Sequence, residues 1–213
     1  MFIDRLDAGK QLARQLRNYT KEPCMILAVP RGGVPVAYAV ARDTGLPLYL
    51  MLARKLGHPN NPEYAIGAAT LEDLILVNGT GIPPEYVQEE LKRVRSRLLE
   101  MKRLFSVDWS HSLMRGKTVI LIDDGVATGN TLTATIRLIR KQFPRRIIVA
   151  VPVASARSVY QLSALADDVV SLEVPEFFTA VGSVYAQFDQ VTDAEVVGYV
   201  NSLREGGRIP AVQ

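Results

Sequence analysis

The sequence predicts an α/β fold with a mostly parallel central sheet flanked by helices. Short apolar runs rich in β-branched residues alternate along the chain with longer amphipathic stretches, which is the pattern of a parallel sheet covered on both faces. The hydrophobic content of 48% over 213 residues is sufficient for one globular domain, and we expect a single domain spanning residues 1–213.

The first part of the chain predicts two strands joined by a helix. Met25–Val29 is a short apolar run, Val34–Arg42 is amphipathic, and Leu48–Leu52 is again apolar. The segment that follows, Arg54–Asn61, is rich in glycine, proline and asparagine. These residues favour turns, so a long loop is expected there.

The middle of the chain predicts short strands and then one long helix. Ala65–Thr70 and Leu74–Val77 favour a hairpin or two edge strands. Glu85–Phe105 carries apolar residues at steps of three and four, which indicates a helix with one buried stripe. Its remaining faces are basic, as is common for solvated surface, although a role in binding anions stays open.

The second half continues the alternation. Strands are predicted at Thr118–Ile122, Ile147–Val153 and Val169–Val174, and helices at Asn130–Gln142 and Ala156–Ala166. Residues 175–213 contain aromatic residues without a clear period, so we expect irregular structure there.

Charge and cysteine content restrict the class of protein. The 25 basic and 22 acidic residues give a formal charge of +3, too mild for a nucleic-acid partner. The single cysteine, Cys24, excludes a disulfide within the chain and suggests a reducing compartment. Neither a signal peptide nor a membrane span is evident, so we expect a cytoplasmic protein that does not bind membranes.

The segment Val119–Thr131 carries the clearest chemistry. It consists of an apolar strand, the acids Asp123 and Asp124, a loop of small residues, and a helix start. Two adjacent carboxylates at the carboxyl end of a strand can accept hydrogen bonds from a ribose diol. The backbone N–H groups of Ala127–Thr131 converge at a helix N-terminus, which suits a phosphate group. Taken separately, each part has a simpler interpretation, in which Asp123 and Asp124 only end a strand and Thr131 only caps a helix.

Taken together, these thirteen positions resemble the signature of type I phosphoribosyltransferases that binds 5-phosphoribosyl diphosphate (PRPP). The resemblance implies that Asp123 and Asp124 bind the ribose hydroxyls. It also implies that the following loop binds the 5′-phosphate, through Ala127, Thr128, Gly129, Asn130 and Thr131. The fold would be type I phosphoribosyltransferase-like, with a core at about residues 20–174. A small C-terminal hood would span about 175–200 together with the N-terminal segment.

Two positions qualify the resemblance. Gly125 stands where the family more often has a branched aliphatic residue, which loosens the turn. Ala127 is similar to adenine-type enzymes, whereas hypoxanthine-guanine enzymes have an aspartate at that position. The lysine by which the latter enzymes read a 6-oxo group also has no counterpart before Pro175, so a hypoxanthine-guanine activity is not expected.

A second loop, Pro30-Arg31-Gly32-Gly33, also lies between a predicted strand and a predicted helix. Its glycines free backbone N–H groups to face an anion, and Arg31 adds a cationic fork. Its position resembles the family's pyrophosphate-binding loop, to which Arg31, Gly32 and Gly33 would contribute. That loop often contains a cis peptide, for which the Pro30–Arg31 bond is the candidate. An ordinary tight turn is the alternative.

Arg54 and Lys55 resemble the dipeptide that adenine-type enzymes place near pyrophosphate. The resemblance implies that both residues act in catalysis and that the loop after them closes over the substrates as a lid. A solvated surface loop remains the alternative. Within the proposed lid, Glu63 is the candidate for a general acid or base.

The aromatic C-terminal segment is where the family builds the hood that covers the base. Phe177, Phe178, Val181 and Tyr185 are the candidates for this role, since aromatic side chains stack on planar bases. Ordinary packing is an equally sound interpretation.

The resemblance implies a phosphoribosyltransferase that transfers the phosphoribosyl group of PRPP to a nitrogen acceptor, a nucleobase above all, and releases pyrophosphate. It also implies Mg²⁺ held mainly through PRPP with no direct protein ligand, and a homodimer. A PRPP- or nucleotide-binding regulator without transferase activity is the alternative, and a hydrolase with water as acceptor is a third possibility.

Overall fold

The computed structural model describes residues 1–76 and 81–207, with only the backbone of Pro62 and Glu63. The strands are β1 (Cys24–Ala28), β2 (Leu48–Leu50), β3 (Arg54–His58), β4 (Asn61–Ala69), β5 (Leu74–Leu76), β6 (Thr118–Ile122), β7 (Arg146–Val153) and β8 (Asp168–Glu173). The helices are α1 (Arg5–Leu16), α2 (Gly33–Thr44), α3 (Pro84–Leu104), α4 (Asn130–Arg140), α5 (Ala156–Ser163) and α6 (Asp193–Glu205).

The central sheet confirms the predicted α/β fold. Its five strands are all parallel, in the order β2-β1-β6-β7-β8. Alternate residues of β6 enter two cores because successive side chains of a strand point to opposite faces. Ile120 and Ile122 pack with α1 and α2, whereas Val119 and Leu121 pack with α4 and α5. The central position of β6 places the loop after it in the middle of the sheet's carboxyl edge.

The prediction of a long loop at Arg54–Asn61 was wrong. β3 and β4 form an antiparallel hairpin, in which His58 pairs with Asn61 and β5 adds a third strand. Pro59 and Asn60 form the turn of this hairpin, and the register shifts on either side of Gly57. The turn-forming residues therefore mark a tight turn and a bulge within a hairpin.

Two helices are absent from the sequence-based prediction. In α1, the Asp4 side chain accepts a hydrogen bond from the N–H of Asp7, and Ala8, Leu12 and Leu16 form a buried stripe. In α6, within the region predicted to be irregular, Thr192 and Glu195 form a capping box. Both signals are readable in the sequence, since each combines a cap with apolar residues at helical spacing.

The predicted long helix is confirmed as α3, and Thr118–Ile122 has the predicted bounds. Val77, at the end of the predicted edge strand Leu74–Val77, lies outside the described residues. None of the helices in the described ranges has both the length and the apolar character needed to cross a bilayer.

Candidate functional site

The carboxyl ends of the neighbouring strands β1 and β6 bring two of the predicted loops into contact. The Val29 N–H donates to the Ile122 carbonyl at 2.9 Å, and the peptide bond between Pro30 and Arg31 is cis, as expected. A methyl group on Gly32 would lie 2.1 Å from Asp124 Oδ2, and one on Gly33 would lie 2.7 Å from the Ile122 carbonyl oxygen. Glycine is therefore required at both positions for the loop to pack against the acidic pair.

Asp123 and Asp124 are partly buried at the end of β6. The Asp124 N–H donates to Asp123 Oδ1 at 2.9 Å. Burial raises the pKa of Asp123 well above its ordinary value, and the adjacent charge of Asp124 raises it further. Burial also raises the pKa of Asp124, although Arg5 opposes this shift. Both carboxyl groups therefore retain a proton more readily than exposed aspartates do, and a nearby cation such as Arg5 favours their charged form.

Arg5, at the start of α1, is a site residue that the sequence did not indicate. Its Nε–H donates to Asp124 Oδ2 at 2.9 Å, and its Nη1 donates to the Asp189 carbonyl at 2.7 Å. The guanidinium also lies 3.9 Å from the centre of the Phe188 ring. Arg5 and Asp124 are separated by 119 positions, so no local pattern could have revealed the pair.

The loop after the acidic pair is open on the side where we expect the phosphate. The Ala127 carbonyl accepts hydrogen bonds from the hydroxyls of Ser155 and Ser158, at 2.8 and 2.7 Å. Gly129 has a φ of 71°, a left-handed conformation that favours glycine. Among the described residues, no group accepts a hydrogen bond from the N–H of residues 127–129. The loop is thus anchored through a carbonyl while its donors remain available to a ligand.

A cavity of about 350 Å³ contains some of the predicted site residues, whereas Gly32, Gly33, the acidic pair and residues 127–130 do not line it. It is lined by Arg31, Arg54 and Lys55, and by Thr131 at the start of α4. Arg97 of α3 also lines it, so the basic face of that helix includes a site residue. Burial and the neighbouring charges of Arg97, Arg93 and Arg31 lower the pKa of Arg54. These cations lie close enough to bind one anion together.

The hood candidates occupy different environments. Phe177 is 86% exposed, and Phe178 is partly exposed. Val181 lies over Gly125, where a methyl group would be 2.4 Å from Val181 Cγ1. Gly125 therefore makes room for the hood next to Asp124.

Tyr185 is buried, and its hydroxyl bonds within the protein. Its hydroxyl donates to the Asp124 carbonyl at 2.7 Å, and its ring packs against Phe2 and Phe188. The Phe2 N–H in turn donates to the Val184 carbonyl, so the N-terminal segment and the hood pair directly. Tyr185 links this pairing to the backbone of the acidic pair.

Two further carboxylates, those of Glu63 and Asp193, belong to β4 and α6. Glu63 belongs to β4, but its side chain lies outside the described part of the structure. Asp193, the first residue of α6, lies 3.7 Å from Arg31 and lines the same cavity. Asp193 was missed because α6 itself was not predicted.

The sequence and the fold of this chain are similar to those of several known proteins. Residues 3–189 match the family model described as the phosphoribosyl transferase domain. A provisionally named phosphoribosyl transferase of Mycobacterium tuberculosis is 34% identical over 99% of this chain, which spans about half the length of that relative. The crystal structure of TT1426 from Thermus thermophilus is 40% identical with a TM-score of 0.85, covering 95% of this chain and 98% of that one.

A second solved structure supports the fold alone. The AQ2163 protein from Aquifex aeolicus is 11% identical, with a TM-score of 0.52 over 84% of this chain and 78% of that one. The family match runs from residue 3 to residue 189, so it includes the strands and both loops described above and ends before α6. The chain belongs to the phosphoribosyl transferase domain family.

Proposed function

We propose that this chain transfers the 5-phosphoribosyl group of PRPP to a nitrogen acceptor and releases pyrophosphate. The observation that carries the proposal is the cavity whose lining includes Arg31, Arg54 and Lys55 together with Thr131, the last residue of the predicted phosphate loop. A diphosphate needs several cations, and the 5′-phosphate of the same molecule needs the donors of the neighbouring loop. The acidic pair lies between these two regions in the chain and suits the ribose hydroxyls.

In the proposed reaction, the bond from ribose C1 to the pyrophosphate oxygen breaks as a bond from C1 to the acceptor nitrogen forms. The acceptor nitrogen loses a proton, which passes to an oxygen of the departing pyrophosphate or to solvent water. Positive charge develops on the ribose, which Asp123 and Asp124 would favour, while Arg31, Arg54 and Lys55 would stabilise the negative charge of pyrophosphate. Closure of the β3–β4 hairpin over the cavity would exclude water and limit hydrolysis of PRPP.

We propose that Mg²⁺ binds together with PRPP. Among the described residues, no group of three or more His, Cys, Asp or Glu side chains is placed to hold a metal ion. The two carboxylates of the acidic pair are compatible with an ion held mainly by the phosphates of the donor, which is the coordination that Mg²⁺ prefers. When bound, the ion would neutralise part of the charge of the leaving pyrophosphate.

The acceptor that we propose is a nucleobase. Val181 packs over Gly125, next to Asp124, and would border the acceptor, and the exposed Phe177 would offer a ring for stacking. Ala127 stands at the position where hypoxanthine-guanine enzymes have an aspartate. This favours an adenine-type base over a 6-oxopurine.

The test is an assay of pyrophosphate release from PRPP with Mg²⁺ and a panel of purine and pyrimidine bases, with the double variant Asp123→Asn, Asp124→Asn as control. We expect release that requires one base and is lost in the variant. Release without any base would indicate a hydrolase. PRPP binding by calorimetry without release would indicate a regulator, and the absence of both binding and release would refute the proposal.

A further inference from the structure

A second cavity lies between the β3–β4 hairpin and α3. Its volume is about 520 Å³, larger than the 350 Å³ cavity of the proposed pyrophosphate site. Arg54, Lys55 and Arg97 line both cavities. None of the residues from Asp123 to Thr131 lines the second cavity, and neither does Arg31. The proposed function therefore leaves this space without a role.

The lining of the second cavity is strongly basic. The described side chains include four cations, Arg54, Lys55, Arg93 and Arg97, and one carboxylate, Glu90. Glu90 is 8% exposed and accepts two hydrogen bonds from Arg93, at 2.6 and 2.8 Å. This pairing holds the Arg93 guanidinium in place, and the nearby Arg97 pairs with the exposed Glu100.

The basic side chains repel one another in the protein without a ligand. Burial lowers the pKa of Arg54, the neighbouring charges of Arg97, Arg93 and Arg31 lower it further, and Glu90 opposes the shift. Packing does not require such a cluster, since Arg93 and Arg97 are mostly exposed, with 75% and 51% of their side chains accessible. A bound anion would relieve the repulsion, and the bonds from Arg93 Nε and Nη2 to Glu90 leave Nη1 as a donor for it.

We propose that this second cavity binds the oligophosphate group of a ligand other than PRPP. Because Arg54, Lys55 and Arg97 line both cavities, anions in the two sites compete for the same cations and repel each other. Binding of the oligophosphate should therefore weaken the binding of PRPP, and the reverse must hold to the same degree. The proposal does not depend on phosphoribosyl transfer, because oligophosphate binding is measured without PRPP.

The experiment is calorimetric titration of the protein with inorganic tripolyphosphate and, separately, with ATP. Arg93→Gln removes a cation that lines only the second cavity, and its amide retains a donor for Glu90. Arg31→Gln removes one that lines only the first cavity, and Lys92→Gln removes an exposed charge on α3 that lines neither. Thermal melts establish that each variant folds.

We expect Arg93→Gln to weaken tripolyphosphate binding by about tenfold or more, the effect of losing a charged hydrogen bond, and Lys92→Gln to change it by less than about twofold. Arg31→Gln should retain tripolyphosphate binding. Tighter binding of ATP would identify a nucleoside polyphosphate as the ligand, and tighter binding of tripolyphosphate an inorganic one.

The opposite pattern would overturn the proposal. If Arg31→Gln abolishes tripolyphosphate binding and Arg93→Gln leaves it unchanged, the anion occupies only the pyrophosphate site. Binding of neither tripolyphosphate nor ATP would overturn it as well. If Arg93→Gln does not fold, Arg97→Gln replaces it, because that side chain is exposed. Unchanged tripolyphosphate binding in Arg97→Gln would then be decisive against the proposal.

Discussion

Replacing Arg5 with glutamine should destabilise the protein. Arg5 and Asp124 form an ion pair at 2.9 Å in which the side chains are only 11% and 16% exposed. Removing one partner of a buried ion pair leaves the other charge without compensation. The variant also loses the contact of the guanidinium with the Phe188 ring and the bond from Nη1 to the Asp189 carbonyl.

The size of the effect follows from the burial of the pair. Breaking a buried ion pair costs about 3–5 kcal/mol, and we take the lower end, about 3 kcal/mol, because Asp124 can be protonated in the variant. In a domain of this size, about 1 kcal/mol corresponds to about 2–4 °C, so Tm should fall by about 6–12 °C at neutral pH.

The effect should depend on pH in a defined direction. Burial raises the pKa of Asp124 above its ordinary value, and Arg5 opposes this shift, so the pKa must rise further in the variant. A carboxyl whose pKa is raised by folding contributes stability below its unfolded pKa, and that stability is lost as pH rises through the folded pKa. As pH rises from about 5 to about 7.5, the free energy of unfolding of the variant should therefore fall by more than that of the parent.

Thermal melts of the parent and Arg5→Gln at about pH 5 and about pH 7.5 test the role of the buried pair and its dependence on pH. Arg14→Gln is the matched control, since it removes an exposed charge from the same helix. A Tm of Arg5→Gln equal to that of Arg14→Gln at both pH values would refute the role of the buried pair. A decrease in Tm that is the same at both pH values would refute the part played by Asp124 ionisation.

Three further predictions concern the loops. Gly125→Ala should lower the free energy of unfolding by about 1–3 kcal/mol, because the new methyl group would lie 2.4 Å from Val181. Gly198→Ala, whose methyl group would lie in open space, should not lower it, and equal melting temperatures of the two variants would contradict the close packing of the hood. Thr128→Val should weaken binding of ribose 5-phosphate by roughly 3- to 10-fold through loss of a hydroxyl donor, and calorimetry showing unchanged binding would exclude that contact. Lys55→Ala should lower kcat for pyrophosphate release more than it lowers PRPP affinity, with Lys92→Ala as control; a loss confined to affinity would argue against a role in the transition state.

Local sequence was sufficient for most of the central sheet and for the loop that carries the chemistry. Thr118–Ile122 is apolar and mostly β-branched, and a strand of that type ends where the first carboxylate appears. The Pro30–Gly33 loop was also predicted from local sequence, because two glycines and an arginine lie directly between a predicted strand and a predicted helix. In both segments, neighbouring residues determine the backbone and the chemistry together.

The hairpin at Arg54–Ala69 shows where local reasoning failed. Its turn residues and the bulge at Gly57 resemble an irregular loop when only their composition is considered. The strand pairing places Lys55 opposite Ala68 and Leu56 opposite Gly67, and packing against α3 buries Leu56. Tertiary contacts therefore outweigh the weak strand preference of this segment.

By itself, the sequence determined the α/β fold class, the acidic pair and the loop that follows it, because these depend on residues that are adjacent in the chain. Only the tertiary structure decided that Arg5 compensates the charge of Asp124, that Val181 fills the space left by Gly125, and that α3 adds Arg97 to the cations beside Arg54. Each of these contacts joins segments far apart in sequence. Their geometry depends on how helices pack around the sheet, which no local spacing of residues specifies.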